Sequence, residues 1–119
     1  MTVHIAYLAE EGAGRTGVRV VEPTPTSHQA QRGSFYAVVD LQGPPQATPQ
    51  LAERLLSAMQ RTYYAHKGTQ SQVLEETIRS AQQVLEAETR VAAVPWAAGI
   101  VCIGLMQDRL AMAGLGDAF

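Results

Sequence analysis

Between Pro49 and Pro95 the chain has no proline, and its one glycine there is Gly68. Proline breaks helices and glycine ends them. The stretch therefore reads as two helices joined at Gly68. Thr48-Pro49 supplies an N-cap followed by proline at the first helical position. Leu51, Leu55, Met59 and Tyr63 recur at helical spacing, and Ala52 and Leu56 widen that stripe. Thr69-Gln70-Ser71-Gln72 matches a capping box for the second helix, which carries Leu74, Ile78, Ala81 and Leu85 on one face. So short a connection makes the two helices antiparallel neighbours.

The flanking segments are of β type. Val3 to Ala9 reads as a strand, Glu10 to Thr16 as a turn, and Gly17 to Val21 as a second strand completing a hairpin. Pro23 and Pro25 stop that strand, and Thr24 to Gly33 follows as a polar loop. Ser34 to Leu41 is a nearly continuous apolar run, as expected of a central strand buried on both faces. Gly43, Pro44 and Pro45 form a loop. Beyond Pro95, Ala97 to Met106 and Leu110 to Leu115 read as a hairpin turning at Gln107-Asp108-Arg109. The order is β-β-β-α-α-β-β. This predicts an α+β fold: a largely antiparallel sheet with the paired helices on one face. The expected organisation is one domain over 1–119. The apolar strand ends close to Phe119, which leads us to expect part of a larger fold, or one completed by a second copy.

Nine basic residues stand against eleven acidic ones, a net charge of -2, so there is no basic excess to neutralise a nucleic-acid backbone. Cys102 is the single cysteine, which rules out an internal disulfide and makes a reducing, cytoplasmic compartment the default. No signal peptide is visible at Met1-Thr2-Val3-His4-Ile5. The longest apolar run, Ala97 to Met106, is too short to span a bilayer as a helix.

Few motifs carry chemistry. Gly12-Ala13-Gly14-Arg15-Thr16-Gly17 fits G-x-G-x-x-G, but a β-type segment follows where a dinucleotide site needs a helix, so it reads as a turn. His4, His28 and His66 share no metal-ligand spacing. Cys102 lies among Ile100, Val101 and Ile103 and reads as a buried, inert thiol. Trp96 reads as a packing anchor. Asp40, at the end of the apolar run, needs a partner, and a hard metal ion and a loop cap both meet that need. Arg19 is the one charge in its strand, facing either solvent or an anion. Asp117, after Gly116, reads as a turn former.

Taken in order, these residues resemble the PP2C (PPM) family of metal-dependent serine/threonine phosphatases. Ser34-Phe35-Tyr36-Ala37-Val38-Val39-Asp40-Leu41-Gln42-Gly43 is similar to the family strand that ends in Asp-Gly-His-Gly or Asp-Gly-Met-Gly. Ala97 to Phe119 resembles the later hairpin closing on Gly-Asp-Ser-Arg, here Gly116-Asp117-Ala118-Phe119. Gly17-Val18-Arg19 resembles the early strand whose arginine holds the substrate phosphate. The resemblance implies the N-terminal half of a four-layer α-β-β-α sandwich and two Mg²⁺ or Mn²⁺ ions that activate a water against a phosphoprotein. Asp40 would bridge the ions, the backbone carbonyl of Leu41 would join it, and Arg19 would bind phosphate in a bidentate fork.

The departures are specific. The family's acidic pair after the arginine falls on Pro23 and Thr24, with Glu22 one residue early. Leu41 replaces a glycine, Gln42 a histidine, and Ala118-Phe119 a Ser-Arg pair. The resemblance thus implies catalysis that is weakened or lost. Its alternative is a pseudophosphatase acting as an interaction module, with a homodimer through the C-terminal edge near Leu110 to Phe119. Neither nucleic acid nor membrane is expected as a partner.

Overall fold

The structure is a computed structural model and describes residues 15–43, 48–92, 97–106 and 109–116. Its elements are β1 (Arg15–Val21), β2 (Ser34–Gln42), α1 (Thr48–Ala65), α2 (Gln70–Ala92), β3 (Ala97–Met106) and β4 (Arg109–Leu115), with a 3-10 turn at His28–Gln31. The four strands form one sheet in the order β1-β2-β3-β4, and each neighbouring pair is antiparallel. The fold is thus a mixed α+β arrangement with both helices packed on one face of the sheet. The expected strand over Val3 to Ala9 lies outside the described residues. Arg15 and Thr16, expected in a turn, already belong to β1.

Register explains how the sheet divides its residues. Arg19, Ala37, Cys102 and Ala113 lie side by side across the four strands, as do Gly17, Val39 and Ile100. Side chains directly opposite in an antiparallel ladder share a face, so these rows point toward the helices. Val18, Val38, Val101 and Gly114 form the next row, and Val20, Tyr36, Ile103 and Met112 another. Both point away from the helices.

The core lies between helices and sheet. Phe35, Val39, Leu41, Ile100 and Cys102 meet Leu51, Leu55, Met59 and Tyr63 of α1 and Val73, Leu74 and Ala81 of α2, all at most 2% exposed. Each such aliphatic side chain contributes about 1.5–3 kcal/mol of burial, an upper estimate. The α1 stripe read from the sequence is the buried one. In α2 the buried face is rotated: Val73 and Thr77 join Leu74 and Ala81, whereas Ile78 and Leu85 are only partly buried. Thr77 escapes a search for apolar residues. Its hydroxyl donates to the Val73 carbonyl at 2.7 Å, which satisfies it inside the core.

The helices run antiparallel, because Gln70 at the start of α2 reaches Tyr63 near the end of α1, and Arg54 early in α1 pairs with Glu88 late in α2. Between them the capping box forms as expected. The Gln72 N–H donates to Thr69 Oγ1 at 3.2 Å, and the Thr69 N–H donates to Gln72 Oε1 at 2.9 Å. Thr69→Ala is expected to lose about 1 kcal/mol, read as a lower urea midpoint with an unchanged slope.

The segment entering β2 is tied to the end of α1. Tyr63 and Tyr64 donate their hydroxyls to the carbonyls of Arg32 and Gly33, at 2.9 and 2.8 Å. Arg32 in turn reaches the carbonyls of Gly68 and His66, both at 3.3 Å, placing a cation beyond the α1 C-terminus. Gly33 has φ 84°, and a Cβ there would run into the backbone of Leu105. Only glycine suits this corner.

Candidate functional site

Arg19 stands in the middle of β1 on the helix side. Its Nη1 donates to Gln60 Oε1 and its Nη2 to Glu53 Oε1, both at 2.7 Å. Ser57 Oγ also donates to Glu53 Oε1, at 3.1 Å. The hydrogen bond from Arg19, aided by that from Ser57, holds the Glu53 carboxyl below its ordinary range. The Arg19 side chain is 24% exposed and links sheet to α1. An incoming phosphate would meet the Glu53 carboxylate as a like-charged competitor for it.

Asp40 lies on the other side. It falls in register with Thr16 and Gly99, on the face carrying Val38 and Tyr36, and is partly exposed. Asp40 and its chain neighbour Val39 take opposite faces, and the sheet itself separates Asp40 from Arg19. The structure therefore does not bring Arg19 and Asp40 to one site. Leu41 has its side chain fully buried against the helices. Its backbone runs within the ladder, in register with Arg15 and Ala98, so its carbonyl lies in the plane of the sheet.

Divalent magnesium or manganese needs about six ligands, mostly oxygens. Among the described residues there is no group of three or more His, Cys, Asp or Glu side chains able to hold a metal ion. Asp40 with one backbone carbonyl is too small a donor set for two ions, so the described residues do not fit that centre. Asp117, Ala118 and Phe119 lie outside the described residues, as do His4, Trp96, Gly12 and Gly14. Gly17 sits in β1 beneath α1, where an added Cβ would lie 3.1 Å from Leu56 Cδ1. Close helix–sheet packing thus explains the last glycine of the G-x-G-x-x-G pattern.

Cys102 is fully buried in β3, and burial pushes its thiol up to about 12. Such a thiol is almost entirely protonated at neutral pH and is a poor nucleophile. A shallow groove between the helices is lined by Arg54, Arg61, Thr62, Ser80 and Gln83. Arg54 in that groove is engaged by Glu88.

The most distinctive surface is one that motif reading misses. The sheet face turned away from the helices carries Val18, Val20, Val38, Val101, Ile103 and Met112. Val20 is 48% exposed, Leu110 52% and Met112 62%, whereas Tyr36 between Val20 and Ile103 is buried and Val18, Val38, Val101 and Ile103 are half-buried, so the exposure lies on the outer strands β1 and β4. A one-sided sheet normally alternates apolar and polar residues. Here β2 and β3 are apolar on both faces at their centres. That double-sided pattern was the available signal, visible most plainly in Val38 and Val39 and in Ile100 to Ile103.

No helix among the described residues is long and apolar enough to cross a membrane. No protein-family model matches the chain, and no curated protein or solved structure is significantly similar to it.

Proposed function

We propose that this chain is a non-catalytic interaction module on a PP2C-like frame, with the apolar face of its sheet as the working surface. The observation that carries this reading is that face: rows of valine, isoleucine, tyrosine and methionine cross all four strands on the side opposite the helices. Its exposed members are Val20, Leu110 and Met112, and apolar side chains exposed on one face mark binding sites. Two facts support the non-catalytic part. Arg19 is tied to Glu53 and Gln60, and Asp40 projects from the opposite face. The order of strand, two helices and strand pair supports the PP2C-like frame.

A phosphatase reading draws on one feature, the place of Asp40 at the end of β2 on the open face, where a carboxylate could reach a Mg²⁺ or Mn²⁺ ion and a phosphoprotein substrate. The two readings separate in one experiment. The interaction module hydrolyses no phosphoserine peptide in Mn²⁺, and Asp40→Asn leaves its response to Mn²⁺ unchanged. Hydrolysis that is abolished by Asp40→Asn contradicts the proposal.

A further inference from the structure

We infer that the cleft between α1 and the 3-10 turn at His28–Gln31 is a binding site for a phosphate group, held by Arg61, Gln60 and Gln29. The cleft lies on the helix side of the sheet, apart from the apolar face. It goes beyond the interaction-module reading by giving the chain a charged ligand.

The donors come first. The cleft has a volume of about 290 Å³ and is lined by Gln29 from the turn and by Ser57, Gln60, Arg61 and Tyr64 from α1. The Gln60 amide has a fixed orientation. Its Oε1 accepts from Arg19 Nη1 at 2.7 Å, and a guanidinium has no acceptor to offer, so the amide cannot turn round. Gln60 Nε2 is left as a donor on the side away from Arg19, with no partner among the described residues. Arg61 is exposed and, unlike Arg19, Arg54 and Arg79, has no carboxylate partner among the described residues. The exposed Gln29 amide has no partner among them either. The other two lining hydroxyls are already engaged: Ser57 donates to Glu53, and Tyr64 to the Gly33 carbonyl.

Charge and donor number then select the ligand. Among the described residues, no acidic side chain lines the cleft. Glu53, one turn before Ser57, is paired with Arg19 at 2.7 Å, so those two charges offset each other. Arg61 leaves the cleft with a net positive charge. Arg61 and Gln60 Nε2 offer donors only, and the Gln29 amide can turn its own donors toward a ligand. Such a set repels a cation and favours an oxyanion. A carboxylate brings two oxygens, whereas a phosphate presents three strong acceptor oxygens, one for each of the three side chains. The volume is near the small end of ligand sites, about 300 Å³, and suits a phosphate group with the first atoms of an ester or with water. Because Arg61 is exposed, solvent and salt screen the attraction, which puts affinity for inorganic phosphate at about millimolar.

Sodium phosphate is titrated into the isotope-labelled chain from about 0.5 to 50 mM at fixed pH and ionic strength, the range a millimolar site spans. Heteronuclear NMR follows the side-chain amides of Gln29 and Gln60. These signals should shift together and saturate. Arg61→Ala should raise the dissociation constant at least tenfold. Gln60→Glu keeps an oxygen for Arg19 but puts a carboxylate where the free donor was, and it should abolish saturation. Arg90→Ala removes another exposed arginine without an ion pair among the described residues, and it should change nothing. Circular dichroism and urea midpoints establish that each variant folds. Shifts that never saturate, or that survive Arg61→Ala, overturn the site. Equal weakening by Arg61→Ala and Arg90→Ala is attraction to overall charge and also overturns it. Acetate that binds as tightly as phosphate overturns the choice of phosphate. O-phosphoserine separates the sources: tighter binding than inorganic phosphate assigns the site to a phosphorylated side chain, and equal binding assigns it to free phosphate. None of these results touches the interaction-module reading, which fails instead on hydrolysis that depends on Asp40.

Discussion

Tyr63→Ala is expected to remove about 3–5 kcal/mol, the range for truncating a buried aromatic ring. Tyr63 is fully buried, with its ring centroid 4.7 Å from that of Phe35 and 5.0 Å from that of Tyr64, the latter edge-on. Alanine would leave a cavity where α1, β2 and the start of α2 converge. The hydroxyl carries a separate share. It donates to the Arg32 carbonyl at 2.9 Å and accepts from Gln70 Nε2 at 2.7 Å. Tyr63→Phe keeps the ring and deprives both partners, at a cost of about 1–3 kcal/mol. Against a total of about 5–15 kcal/mol for a domain of this kind, the alanine variant sits near the edge of folding. Urea unfolding should show its midpoint lower by about 1–3 M, with the phenylalanine variant between it and the parent. Equal midpoints for the alanine variant and the parent would contradict this packing.

The same tyrosine has a pH signature. Burial raises its pKa above the ordinary 10.0. A phenol whose folded pKa is raised stabilises the fold fully below its unfolded pKa. That stabilisation is lost as pH rises from 10 through the higher folded value. The loss therefore belongs to strongly alkaline solution, and Tyr63→Phe should remove that part of the alkaline dependence.

Gly104→Val should be about as damaging, by the opposite route. An added Cβ at Gly104 would lie 2.5 Å from Tyr63 Oη and 3.0 Å from Tyr63 Cε1, and it would collide with Gln70 Nε2 as well. These neighbours cannot retreat without cost. Tyr63 is wedged in the core, and the Gln70 amide is enclosed, its Oε1 already a buried acceptor without a partner. Overpacking and the broken Gln70–Tyr63 hydrogen bond together should cost about 2–5 kcal/mol. Gly104→Ala should cost less. Combining it with Gln70→Ala should recover part of the loss, since truncating Gln70 makes room. A double-mutant cycle of thermal midpoints measures that coupling. Strictly additive effects would mean that β3 and the start of α2 are not in contact at this point.

Most of the frame was legible in the sequence because local rules and packing agree. The α1 stripe, the Thr69–Gln72 capping box and β3 over Ala97–Met106 are all where spacing and punctuation place them. The misplaced features have physical causes. Arg15 and Thr16 follow two glycines and read as turn, yet pairing with Leu41 and Asp40 draws them into β1. The buried face of α2 includes Thr77, whose hydroxyl is satisfied by its own helix, so a polar letter hides a core position. Functional residues were less legible, because a motif match carries no information about which face a side chain takes. Arg19 and Asp40 are twenty-one positions apart in the chain and sit on neighbouring strands. Register nonetheless assigns them to opposite faces: Arg19 pairs with Ala37, Asp40 with Thr16. A shift of one residue would have put them on the same face. The open face was written in β2 and β3 as runs apolar on both sides. Such runs signal burial on both faces before they reveal what covers the second.

The central claim is that the working surface of this chain is its apolar sheet face and that Asp40 does not organise a metal centre. Calorimetric titration of Mn²⁺ into the chain and into Asp40→Asn tests it most directly. The account predicts the same heats for both proteins, without a saturating site that depends on Asp40. A saturable Mn²⁺ site in the parent chain that vanishes in Asp40→Asn would contradict it and return the chain to metal-assisted phosphoester chemistry.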